Sequence, residues 1–65
     1  MPVKISLKAA RVNANMTLKE AAKRIGVCVT TLARWEKHPE IVQPKYHSTI
    51  ADAYNYPLDF IFFSD

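Results

Sequence analysis

The chain has one glycine, Gly26, and the residues on either side of it restrict the possible folds more than any other feature. Thr17 followed three residues later by Glu20 is a capping-box pattern. In it, the hydroxyl and the carboxylate satisfy backbone N–H groups that a helix start leaves without partners. A helix over about 18–25 is expected from this start, and Gly26 stands directly after it, where a residue tolerant of positive φ lets the backbone turn sharply. Beyond the turn, Leu32 and Trp35 lie three apart on one face, with Thr30, Thr31, Arg34 and Lys37 largely on the other. A further amphipathic helix therefore begins at Val29, with Cys28 at its N-cap position. Two short helices joined through a glycine turn can hold the second at a steep angle to the first. Ala22 is small where the two would cross.

The rest of the chain reads as helices that could cover this pair. Leu7, Ala10 and Ala14 recur at helical spacing, with Arg11 on the edge of the same face, Ser6 as N-cap and Asn15 as a stop. His38 to Pro44 holds two prolines without a helical period and reads as a loop. A fourth helix is expected over about 45–54, with Ile50, Ala51 and Tyr54 on its core face and Asn55 as its stop. Pro57 suits the first turn of a last short helix through Leu58, Phe60, Ile61 and Phe62. The expectation is all-α: five short helices in a single domain over residues 1–65.

With 65 residues, such a chain buries only about 60% of the surface its unfolded form exposes, so the core is thin and a partner sharing apolar surface would help it. The apolar runs fall short of the roughly 20 residues that span a bilayer, and Met1 to Leu7 has no signal-peptide core. No membrane association and a cytoplasmic location are expected. Cys28 is the only cysteine, so an internal disulfide is impossible. A zinc site would need Cys28, His38 and His47, which include no close ligand pair. No metal and no cofactor are expected. With no glycine-rich phosphate loop and no nucleophile–base pair, an enzyme finds no support.

Charge is distributed unevenly. Residues 1–45 carry all nine Lys and Arg against Glu20, Glu36 and Glu40, whereas residues 46–65 carry only Asp52, Asp59 and Asp65. That split suits one face meeting a polyanion and another meeting protein or solvent. An ordinary basic surface would show the same balance.

The segment TLKEAAKRIGVCVTTLARWEK, Thr17 to Lys37, resembles the helix-turn-helix family of Cro and lambda-type repressors. Thr17, Ala22, Gly26, Leu32 and Trp35 stand at the places of its helix cap, small crossing residue, turn glycine and two core residues. The resemblance extends over nearly the whole chain, ending in a similar IADAYNYPLDFIFF, Ile50 to Phe63. It implies a third helix that enters the major groove of double-stranded DNA, with Val29, Thr30 and Arg34 facing base edges and Thr31 nearer the backbone. The side chains suit that role, because arginine can chelate guanine O6 and N7 while valine and threonine methyls can pack on a thymine methyl. For Arg34 a phosphate contact or a solvated helix charge is the competing reading.

Thr17, Lys19, Lys23, Lys37 and Lys45 are the further candidates for the DNA backbone, helped by the N–H groups at the start of the second helix. Arg11 and Glu36 match positions that pair as a partly buried structural salt bridge in the family. Two places depart from its pattern. Leu18 replaces a glutamine that grips phosphate, and Cys28 replaces a Ser or Thr cap; the thiol is read as a small, partly buried cap in preference to a reactive group. Trp35 belongs to the core, and His38 and His47 to the surface. Phe60, Ile61, Phe62 and Phe63 form an apolar run too rich for one helix face. Part of it should fill the core or be covered by a second subunit, with Tyr54, Tyr56, Phe60, Phe62 and Phe63 as the candidate homodimer surface. The expected function is a sequence-specific double-stranded DNA-binding transcription regulator, a phage or prophage Cro-like repressor acting as a dimer on a palindromic operator; the alternative is an antitoxin-like or antirepressor-like adaptor that binds protein through the aromatic C-terminal surface.

Overall fold

The computed structural model describes residues 3–63. Met1 and Asp65, which entered the readings of the leader and the acidic tail, lie outside the described residues. Four α-helices follow one another: α1 (Leu7–Asn13), α2 (Leu18–Ile25), α3 (Val29–Lys37) and α4 (Pro44–Tyr54). Single 3₁₀ turns occupy Pro39–Ile41, inside the segment expected to be loop, and Leu58–Phe60.

Local chemistry sets most of these boundaries. Ser6 Oγ accepts from the Ala9 N–H at 3.1 Å and starts α1. Gly26, Asn15 and Asn55 have φ of 95°, 59° and 51°, so the chain leaves α2, α1 and α4 through left-handed residues. At Gly26 an added Cβ would meet no atom within 4 Å, so the demand there is for backbone conformation, not for space. Pro44 opens α4 at a position where its missing N–H costs nothing.

The core joins Leu7 and Ala10 of α1, Ala21, Ala22 and Ile25 of α2, Leu32 and Trp35 of α3, and Ile50, Ala51 and Tyr54 of α4, with Val42 and Ile61 from the connections. Ala22 is 1% exposed, and a larger side chain there would push α2 away from its neighbours. Trp35 stacks obliquely on Tyr46, with ring centroids 5.1 Å apart.

Two expectations are corrected. The fifth helix is one 3₁₀ turn, because the chain after it is captured by the N-terminal segment. Ile5 N–H donates to the Phe60 carbonyl at 2.8 Å and Phe62 N–H donates to the Ile5 carbonyl at 2.9 Å. These bonds make an isolated parallel bridge between Ile5 and Ile61 and hold Ile61 extended, so helical bonding cannot continue past it. Tyr54 cannot serve a dimer surface: it is 2% exposed, among the largest fully buried side chains.

Candidate nucleic-acid interface

α3 packs through Leu32 and Trp35 and turns its other side outward. Val29 is 41% exposed, Thr30, Arg34 and Lys37 are exposed, and Thr31 is half-buried. Thr30, Ala33, Arg34 and Lys37 fall three and four residues apart, on one face of the helix, and with His38 they line a shallow depression. Among the described residues, neither Arg34 nor Lys37 joins an ion pair, which leaves two cations available on this face. Ala33 was not singled out from the sequence; its spacing from Thr30 and Lys37 was the available signal.

The start of α2 is capped as the sequence suggests. Thr17 Oγ1 accepts from the Glu20 N–H at 3.1 Å, and the Thr17 N–H donates to Glu20 Oε1 at 2.9 Å. The Thr17 backbone N–H, then its hydroxyl, hold the Glu20 carboxyl below its usual range. This box occupies the Thr17 and Glu20 amides, so those of Leu18 and Lys19 are the free donors of the first turn. The Glu20 carboxylate also weakens the attraction of that turn for an anion. Leu18 packs against the core, and an inward apolar side chain grips no phosphate. Lys19, Lys23 and Lys45 are exposed, the last with Nζ 5.3 Å from the Tyr46 ring centroid. Arg24, which the sequence reading left without a role, lines a hollow with Thr49, Asp52 and Ala53 beside α4.

Behind the exposed face, the structure brings Arg11 and Glu36 together. Arg11 Nε donates to Glu36 Oε2 at 2.7 Å, and its Nη1 donates to the Met16 carbonyl at 2.9 Å. The two side chains are 13% and 11% exposed. One guanidinium thus ties α1 to the α1–α2 connection and to the end of α3, two residues from Arg34. Tyr54 lies close to this pair. Its hydroxyl is buried without a hydrogen-bond partner, and burial first, then the Glu36 charge, push its pKa up to about 12.

Cys28 is exposed, not partly buried, and its side chain makes no capping bond. Sulfur is a weak acceptor, so the first amides of α3 go without the side-chain cap that a hydroxyl could supply. Of the aromatic tail, Phe62 is 42% exposed under Lys4, whose Nζ lies 4.9 Å from the ring centroid. Phe63 stacks on His47 at 3.8 Å between ring centroids. The Tyr56 hydroxyl donates to the Val3 carbonyl, Phe60 is half-buried, and Ile61 fills the core.

A capped helix, a left-handed glycine turn and a second helix with an outward polar face define a helix-turn-helix DNA-binding protein. A family model described as helix-turn-helix matches residues 7–61. The chain belongs to this family, that of the Cro and lambda-type repressors, whose members are DNA-binding regulators and not enzymes. No curated protein and no solved structure matched it. Among the described residues, no helix is long and apolar enough to cross a membrane.

Proposed function

We propose that the protein is a sequence-specific transcription regulator, a Cro-like repressor of phage or prophage type that binds a palindromic operator as a dimer. Each α3 lies in the major groove, with Val29, Thr30 and Arg34 on base edges, and half-sites repeat every 10 to 10.5 base pairs or so. Thr17, Lys19, Lys23, Thr31, Lys37 and Lys45 meet the DNA backbone, and the Arg11–Glu36 brace positions α3. The observation that carries this reading is the outward face of α3, where Arg34 and Lys37 join no ion pair among the described residues and stand beside the exposed Val29 and Thr30. The dimer surface uses Tyr56, Phe60, Phe62 and Phe63, without Tyr54. Burial of Tyr54 takes one side chain out of the aromatic surface on which the adaptor alternative depends.

The test is a fluorescence titration of the chain against genomic fragments over a salt series. Four phosphate-contacting lysines in each of two subunits give a slope of log K on log salt of about −7. Absent or salt-independent binding defeats the reading, and sedimentation of the complex counts the subunits. Arg34→Ala should cost about 1 to 3 kcal/mol on the preferred operator and relax one base position. Equal losses on every sequence would make Arg34 a phosphate contact.

A further inference from the structure

Along the last turns of α4, three hollows meet at Asp52. One is bordered by Ala51, Asn55, Tyr56 and Pro57, and the other two reach across to Arg24 of α2. Arg24 and Asp52 are both exposed and line the same two hollows, yet neither joins an ion pair among the described residues. Asp52 is also set against its local electrostatics. It stands in the last turn of α4, near the negative end of the helix dipole, where a cation is favoured and a carboxylate is not. No basic residue of the helix occupies that turn. Arg24 sits in the last turn of α2, where its charge suits its own helix and its guanidinium remains open to a carboxylate.

We infer that two copies of the chain meet on this surface, the Arg24 of each pairing with the Asp52 of the other across a two-fold axis. A symmetric pair buries the same patch twice, so a group that needs a partner must find it on a copy of its own surface. A cation and an anion that share one groove without pairing inside the chain meet that condition, and one rotation makes both contacts. The charge of the chain favours the same side. Two copies of a chain of net charge +3 repel, and an approach through residues 46–65, where the charged residues are Asp52, Asp59 and Asp65, keeps most of the basic residues apart. Tyr56 borders the groove and belongs to the dimer surface given above, so the charged and aromatic parts are continuous. The three hollows share no residue with the depression on α3, so the pairing leaves that face open. The contact presupposes the dimer proposed above and gives it a definite pair of charges.

The experiment reverses each charge in turn. Sedimentation equilibrium of the full chain without DNA should show a dimer for the parent. Arg24→Asp and Asp52→Arg, each with its fold checked by circular dichroism, should dimerise about a hundred-fold more weakly, because like charges then face each other twice across the axis. An equimolar mixture of the two variants should recover the parent's affinity, since every contact across the axis again joins opposite charges. Native mass spectrometry should find one copy of each variant in that dimer. Recovery on mixing separates a broken contact from a damaged fold. A parent that stays monomeric, single variants that dimerise like the parent, or a mixture that gains nothing overturns the Arg24–Asp52 contact. The salt-series titration against genomic fragments decides DNA binding separately, so a failure of that reading and a failure of this contact are told apart.

Discussion

Removing either partner of the Arg11–Glu36 pair should destabilise the protein far more than removing both. Arg11→Met leaves Glu36 with no other hydrogen-bond partner among the described residues, in a position where its side chain is only 11% exposed. Glu36→Met leaves Arg11 its bond to the Met16 carbonyl, so it should be the milder change. Breaking a buried pair costs about 3 to 5 kcal/mol, and the residual exposure here argues for the lower end. A chain of 65 residues has a total stability of about 3 to 10 kcal/mol. A loss of about 3 kcal/mol therefore lowers Tm by roughly 12 to 24 °C. The double replacement removes both charges and should recover much of that. Urea unfolding followed by the fluorescence of Trp35, the only tryptophan and 7% exposed, measures all four proteins. Single variants within about 0.5 kcal/mol of the parent, or strictly additive losses, would show the pair to be two independent surface charges. The same cycle bears on function, since the brace holds the end of α3 that carries Arg34 and Lys37. A folded single variant should bind DNA more weakly than its stability alone explains.

Three other outcomes follow from individual side chains. Tyr54→Phe removes a buried hydroxyl that has no partner, so stability should rise by about 1 kcal/mol, and a fall in Tm on thermal unfolding would refute that. Because the Tyr54 pKa is raised from 10.0 to about 12, its contribution is complete below the unfolded value and is lost as pH rises through the folded one; the variant should lose less stability over that alkaline window. Cys28→Ser supplies an acceptor at an N-cap whose backbone is already extended, φ −72° and ψ 150°, and should stabilise by about 1 kcal/mol, read as a higher urea midpoint. Glu20, whose carboxyl is depressed from 4.5, stabilises in full above that pH and loses its contribution as pH falls through the lower folded value. The stability gap between the parent and Glu20→Ala should thus hold steady from neutral pH and close in acid; a gap independent of pH would contradict the capping box.

Most of the architecture is legible in the chain because short-range chemistry sets it. The capping box at Thr17 and Glu20, the left-handed turn at Gly26 and the Leu32–Trp35 spacing involve neighbours within a few residues, and each recurs in the folded protein. The outward face of α3 follows from the same period. What the sequence alone left open depends on contacts between distant segments. Local pattern made Ile50 to Phe63 a helix followed by another, yet backbone bonds from Ile5 stop the second after one turn and carry Ile61 into the core. Tyr54 suited both a core face and a dimer surface, and only packing beside Arg11 and Glu36 chose the core. Arg11 and Glu36 are 25 residues apart; their pairing was implied by family resemblance, and the fold supplies its distance, its burial and the third partner at Met16.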